Sequence, residues 1–457
     1  MMIRKIKLNA AQYVAIGFAG VILMGALLLC LPIATAPGKT TSFIDALFTA
    51  TTSVCVTGLV TVTTATHWSL FGKFVILLLI QMGGLGVVSV IMISFVALKR
   101  KIGLKNRKLI QEAYNLDHLS GVVRMIKNIV LGTFVVEGMG TIAYSIAFIP
   151  KYGVAGGIWR ALFNAVSCFC NAGMDILDES SLMPYVTNPL VNVTTMLLII
   201  VSGIGFVVWW DLKKVAVMVM KKEILWKRTW SRLELHTKLA LSITLFLLVV
   251  GTIGFFFAEY SNPGTMKDLS FGNKIMASAF QSVTTRTAGF ATVDQGQLTD
   301  FSVFLSVMLM FIGGSPMGTA GGMKTTTIGI IVLMVIAYFK GKDEIEAFHR
   351  RLSADNLRTA IVVVMVGFFV LLLSMSMMTI LTDFDFLDLL FEITSAVGTV
   401  GLSRGITSSF STAAKVVVIL TMYAGRIGPV TLMMAISIRT KIEKAQIHKP
   451  EKKVLIG

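Results

Sequence analysis

With 457 residues, 55% of them hydrophobic and only 14% charged, and a mean hydropathy of +0.80, the chain carries more apolar surface than a water-soluble core can hide. That excludes an ordinary soluble domain and predicts an all-α polytopic membrane protein. The formal net charge of +17 invites a nucleic-acid partner, but the positions of the charges argue against one.

In chain order, charge-free runs at 8–38, 74–98, 181–210, 239–258 and 359–382 each reach the roughly 20 residues that cross a hydrocarbon core. Three weaker runs, 128–150, 302–339 and 416–438, hold one charge each, Glu137, Lys324 and Arg426. Eight crossings are predicted. The first, at 10–36, follows Arg4, Lys5 and Lys7 and contains Ala34, Thr35 and Ala36, as a secretory leader would, but its apolar run is too long for one. Cys30, Cys55, Cys168 and Cys170 lack zinc-ligand spacing and read as small apolar side chains. The blocks 1–9, 99–127, 213–238, 340–358 and 439–457 hold 30 of the 41 Lys and Arg, all on one side of an eight-span layout. By the positive-inside rule that side, with both termini, is cytoplasmic. Lipid headgroups and a cytosolic partner are both open as contacts for these blocks and for the tail KIEKAQIHKPEKK at 441–453.

One pattern recurs between the runs: ALFTATTSVCVTGL at 46–59, ALFNAVSCFCNAGM at 161–174, SAFQSVTTRTAGF at 278–290 and LLFEITSAVGTVGL at 389–402. Each has a Phe (Phe48, Phe163, Phe280, Phe391), a polar residue (Thr49, Asn164, Gln281, Glu392) and then a Gly (Gly58, Gly173, Gly289, Gly401). Successive glycines lie 115, 116 and 112 residues apart, so four units fill the chain: 1–108, with its short helix and loop at 42–59, 109–222, 223–342 and 343–440, then the basic tail 441–457. A second motif follows each loop: GGLG at 83–86, SGIG at 202–205, GGSP at 313–316 and GRIG at 425–428. Two crossings per unit make the units parallel, which argues against the inverted repeats of many secondary transporters.

Four parallel units around a pseudo-fourfold axis bring four loops to one central pore. Irregular backbone at membrane depth is tolerated only where it lines a cavity or is buried in protein. Rings of carbonyl dipoles there would replace an ion's hydration shell, and the negative ends of four short helices would favour a cation. The run 302–339 is too long: as one helix its 38 residues would reach about 57 Å. A break is predicted at GGSPMGTAGGMKT, 313–325, where Gly and Pro crowd. Packing of small residues is the alternative reading of these glycines. Arg426 aligns with Gly84, Gly203 and Gly314 and reads either as an electrostatic barrier on the axis or as a structural partner of Glu137 or Asp211. Arg286 reads as a brace behind the third loop.

GTAGGMKT at 318–325 lacks the Gly before Lys of a phosphate loop, and PGKT at 37–40 lacks the first glycine. No nucleotide site is expected in this chain. His67, His118, His236, His349 and His448 fall outside the predicted spans and no carboxylate pair marks a site, so an enzyme is not expected.

The four Gly-bearing loops, GGSPMGTAGGMKT and GRIGP at 425–429 together resemble the KtrB-like membrane subunit of the bacterial Ktr/Trk/HKT potassium transporter superfamily over residues 10–440. Gly398-Thr399-Val400-Gly401 also echoes the TVGYG of potassium channels, with Leu402 and Ser403 where Tyr and Gly would stand. The resemblance implies potassium uptake across the bacterial plasma membrane, and a K⁺ selectivity filter of carbonyls from Val56, Thr57, Gly58, Asn171, Ala172, Gly173, Thr287, Ala288, Gly289, Thr399, Val400 and Gly401. It implies a gate comprising Gly313, Gly314, Gly318, Gly321, Gly322, Lys324 and Arg426. It further implies sodium dependence, a homodimer with one pore per chain, and a cytosolic RCK-type nucleotide-binding regulatory ring. The alternative is a secondary transporter of another small cation or solute.

Topology supplies the first test. Single cysteines at Lys39, Lys151, Lys267 and Asp385 are expected to react with an impermeant thiol reagent on intact cells, and those at Lys105, Lys227 and Lys342 only after permeabilisation. External labelling at Lys227 would break the four-unit layout.

Overall fold

The computed structural model describes residues 10–86, 122–178, 180–342, 344–428 and 431–432. Arg4, Lys5 and Lys7, most of the 99–127 block with Lys105 and His118, the C-terminal parts of the runs 74–98 and 416–438, Pro429, and the 441–457 tail with His448 lie outside the described residues. Along the chain run α1 Ala10–Leu29, α2 Phe43–Cys55, α3 Leu70–Leu85, α4 Val122–Tyr152, α5 Val154–Cys170, α6 Pro189–Gly203 and α7 Phe206–Met220. They continue with α8 Leu235–Glu259, α9 Phe271–Thr284, α10 Asp300–Phe311, α11 Thr325–Phe339, α12 Ala354–Leu381, α13 Phe386–Gly398 and α14 Thr412–Ile427.

An order recurs: a long helix (α1, α4, α8, α12), a short one (α2, α5, α9, α13) ending at a Gly-bearing loop, and a third helix leading away (α3, α6, α10, α14). The long helices are apolar and long enough to cross a membrane; the shortest has 20 residues, about 30 Å. The short ones have 13, 17, 14 and 13, too few to cross. Their starts are local. Ser42, Ser69, Thr299, Ser353 and Ser411 accept backbone N–H groups of the turns that follow them, as do Asn188 and Asp385, satisfying donors that no helical carbonyl reaches.

The long helices turn large side chains outward, among them Leu27, Ile142, Phe257 and Ile380, a surface suited to hydrocarbon. The core lies the other way, around the loops, where Phe48, Phe163, Phe280 and Phe391 are fully buried. Gly251 lets α8 approach α9 so closely that a Cβ there would lie 3.0 Å from Ser282 Cβ, and Ser282 Oγ donates to the Leu248 carbonyl at 2.9 Å.

Three expectations need correction. The run 181–210 is not one straight span: helix begins only at Pro189, and α6 and α7 meet at 95° across Ile204 and Gly205. Helix also stops within 74–98 and 416–438, where Gly86 (φ 81°) and Gly428 (φ 85°) hold the positive φ that Gly205 (φ 93°) has in its motif. Helix ends at Gly86 and Gly428 and a bend at Gly205 thus fall inside apolar runs, which concealed them because a single permissive glycine ends a helix without changing hydropathy. Second, the chain is not purely helical. Glu346–Ala347 pairs antiparallel with Arg350–Arg351, its turn residues Phe348 and His349 both at positive φ, as a two-residue hairpin requires. Third, the helix expected over 239–258 already begins at Leu235, so that His236, outside that apolar run, stands in the first turn of α8.

Candidate functional site

The four loops meet. A Cβ built on Gly58 would lie 2.6 Å from the Ala172 carbonyl oxygen, and one on Gly173 2.8 Å from that of Ala288. Gly289 packs still closer on the Val400 carbonyl, and Gly401 on that of Thr57. Each glycine therefore sits against the carbonyl that precedes the next loop's glycine, in chain order and closing back on the first. All four have positive φ, between 66° and 100°. Glycine is required twice over, for conformation and for space.

Two residues before each glycine, Val56, Asn171, Thr287 and Thr399 are also left-handed, with φ of 55°, 58°, 70° and 50°. For residues with a Cβ this costs about 1–2 kcal/mol each, strain that surrounding bonds must hold. In three loops the residue after the left-handed one bonds back into the helix, Thr57 N–H to Thr52 O, Ala172 N–H to Ser167 O and Val400 N–H to Ser395 O, each at 2.8 Å. This is the Schellman closure of a helix end. The third loop, one residue shorter from Phe to Gly, closes instead with Ala288 N–H on Thr284 O at 3.0 Å.

Sequence reasoning missed a further set. Thr52, Ser167, Thr284 and Ser395 stand four residues after each Phe. Thr52 and Ser395 hydroxyl oxygens accept the Gly58 and Gly401 N–H groups at 2.9 Å. Ser167 and Thr284 donate to the Met174 and Phe290 carbonyls. The signal was present: a hydroxyl at the same offset in all four units. The polar residue after Phe also braces its loop in two units. Gln281 and Gln295 exchange amide bonds at 2.7 and 3.1 Å; Glu392 accepts from Ser403 Oγ at 2.5 Å, Arg404 N at 3.1 Å and Thr407 Oγ1 at 2.9 Å. Among the described residues the buried hydroxyls of Thr57, Thr287 and Thr399 have no hydrogen-bond partner, leaving oxygen ligands uncommitted beside the carbonyls.

Against this cluster lies the segment 312–324, which separates α10 from α11 as the excess length predicted. It is a folded loop. Met323 N–H reaches Phe311 O at 3.3 Å, Thr325 N–H reaches Gly314 O at 3.0 Å, and Ser315 Oγ lies 2.8 Å from Thr325 Oγ1. Gly313 packs on Gly321, and Gly322 (φ 64°) packs on Gly313, its built Cβ 3.1 Å from that Cα. One flank bonds to the α6–α7 bend: Ser315 N–H to Gly203 O at 2.8 Å, Phe206 N–H to Met317 O at 3.0 Å, and Thr319 N–H to Ser202 O at 3.4 Å. Gly314 and Gly318 allow this approach, each with a built Cβ 2.8 Å from a carbonyl there, Gly203 and Ser202 respectively. At the other flank Gly321 Cα abuts the Thr399 hydroxyl, and its built Cβ would lie 2.9 Å from Gly398 O.

Three cations complete the segment, Arg286 buried and Lys324 and Arg426 half-buried. Lys324 Nζ donates to Ala320 O at 2.7 Å, Arg286 Nη2 to Gly313 O at 3.3 Å, and Arg426 Nη1 to Thr319 O at 2.7 Å, while Arg426 Nη2 donates to Gly83 O. Each serves a carbonyl of this non-helical segment, and Arg426 also one in the last turn of α3. Asp211 caps the Glu234 N–H at 2.8 Å and Glu137 accepts from Gln81 at 3.4 Å. The loop and segment residues singled out from sequence, with Arg286 and Arg426, thus lie in one cluster, whereas Glu137 and Asp211 bond elsewhere.

Comparison with known proteins follows the whole chain. The family of the cation transport protein TrkH matches residues 14–446. The Ktr system potassium uptake protein B of Bacillus subtilis is 39% identical, the match covering 100% of this chain and 98% of that protein. The potassium/sodium uptake protein NtpJ of Enterococcus hirae is 38% identical over 99% and 98%. The crystal structure of the potassium transporter TrkH from Vibrio parahaemolyticus superposes with a TM-score of 0.72 at 18% identity, covering 96% of this chain and 87% of that one.

The ring geometry yields a stability test. Gly401→Ala forces a Cβ into the Thr57 carbonyl and costs on the order of 3 kcal/mol, read as a lower melting temperature in detergent. Gly138→Ala, where a Cβ would meet nothing within 4 Å inside α4, raises or preserves it.

Proposed function

The chain belongs to the TrkH family of cation transport proteins, and on that premise we propose that it is the ion-conducting membrane subunit of a potassium uptake system. It is a multi-pass protein of the plasma membrane, and in this reading the cell is bacterial. The observation that carries the proposal is the closed ring in which each of four glycines packs against the carbonyl of the next loop. Four parallel units, 1–108, 109–222, 223–342 and 343–440, each crossing twice, surround the pore with both termini cytoplasmic. Carbonyls of the residues from Val56 to Gly58, Asn171 to Gly173, Thr287 to Gly289 and Thr399 to Gly401 replace the ion's water, joined by the uncommitted threonine hydroxyls.

Transport needs no catalytic residue. A membrane potential of about −150 mV is worth roughly 3.5 kcal/mol per monovalent cation, enough for accumulation of a few hundredfold. The segment 312–324, with Gly313, Gly314, Gly318, Gly321, Gly322 and Lys324, acts as the gate below the filter. Arg426 holds it there through Thr319 O and adds an electrostatic barrier. The relatives named above support potassium as the substrate, and the name of NtpJ supports sodium as a second ion, transported or regulatory. The Ktr system name of the relative, with its letter B, supports assembly with another component; in this reading the partners are a second copy of this chain and a cytosolic RCK-type ring that reads nucleotide for it.

Uptake of potassium into cells lacking their own systems tests the reading. Replacing Gly58, Gly173, Gly289 or Gly401 by Ser is expected to weaken potassium affinity or admit sodium, whereas unchanged uptake and discrimination in all four would remove the filter. Deleting Gly318–Gly322 is expected to raise velocity per unit of folded protein in vesicles. A folded deletion that transports no faster would leave the segment without a gating role.

A further inference from the structure

The gate segment does not only lie beneath the filter; one side chain joins the two. Thr319, fully buried, donates its hydroxyl to the Phe169 carbonyl at 2.9 Å. That carbonyl belongs to the last turn of α5, where helical partners run out. The same hydroxyl lies 3.2 Å from the side-chain amide of Asn171, the left-handed residue of the second filter strand. Either amide orientation joins strand and segment. With nitrogen toward the segment, Asn171 donates to Thr319 Oγ1; with oxygen toward it, Asn171 accepts from Ala320 N–H at 3.3 Å, takes the Thr319 hydroxyl proton only in place of the Phe169 carbonyl, and donates to Cys168 O at 3.2 Å.

The other strands differ. Val56 has no polar side chain, the Thr287 and Thr399 hydroxyls have no partner among the described residues, and Thr399 lies against the backbone of Gly321 without a hydrogen bond from its hydroxyl. We infer that Thr319 is a positioning residue for selectivity: through Asn171 it holds the second strand in its left-handed conformation while the gate is shut, so that withdrawing the gate loosens the inner end of the filter. This rests on the pore reading above. The filter then discriminates best with the gate in place, and linkage requires the converse, that an ion which fits the filter holds the segment down.

The test compares Thr319→Ala, Thr319→Val and Thr319→Ser in reconstituted vesicles. Alanine and valine are expected to raise the half-saturating potassium concentration about fivefold, the worth of one net hydrogen bond, and to increase inhibition by sodium; serine, which keeps the hydroxyl, restores both. A change in velocity alone, or no rescue by serine, overturns the inference. Gly401→Ser in parallel separates the two readings: if it shifts half-saturation and Thr319→Ala does not, only the coupling fails, and if neither shifts it, the filter reading fails. Should the alanine and valine variants not accumulate, the unaltered protein decides. Amide hydrogen exchange across 315–320 is expected to be slower in potassium than in choline, and equal exchange contradicts the coupling.

Discussion

Backbone N–H and C=O groups inside a bilayer have no water to turn to, so each must find a partner in the protein or face a cavity. Everything unusual in this structure follows from breaking helices under that constraint. Four short helices stop in the interior, and the chain beyond each is fixed by bonds from its own last turn: Thr57 to Thr52, Ala172 to Ser167, Ala288 to Thr284 and Val400 to Ser395. Hydroxyls at one offset, Thr52, Ser167, Thr284 and Ser395, add a bond in each loop. These contacts sustain left-handed Val56 and Thr399, which an unsupported chain would abandon.

The same accounting explains cations where charge is expensive. Lys324 and Arg426 look out of place in apolar runs, as does Arg286 in the third loop. Each donates to a carbonyl of the segment 312–324, and charge-assisted bonds of this kind are stronger than neutral ones. A segment with six glycines and prolines in ten residues has little side-chain packing of its own, so bonds to the α6–α7 bend and to these cations set its shape.

Much of this was legible in the chain. The interval from Phe to Gly located all four loops, because a helix of fixed depth followed by a turn of fixed shape leaves a fixed spacing. The excess length of 302–339 located its break. The helix ends at Gly86 and Gly428 and the bend at Gly205 were illegible, since the apolar sequence continues on both sides and the bend between α6 and α7 leaves no trace in hydropathy. Thr52, Ser167, Thr284 and Ser395 were overlooked among many small polar residues, although their shared offset from Phe marked them. The bond from Thr319 to Asn171 joins residues 148 apart, and nothing in a single sequence announces a contact of that kind.

The central claim is that the four loops form one site for a dehydrated monovalent cation. Crystals of the protein grown in rubidium or thallium test it through anomalous scattering. The account predicts a peak on the axis bounded by the carbonyls of Thr57, Ala172, Ala288 and Val400, reduced when sodium replaces the heavy ion. Well-ordered loops with no axial peak, at ion concentrations that saturate transport, would contradict it.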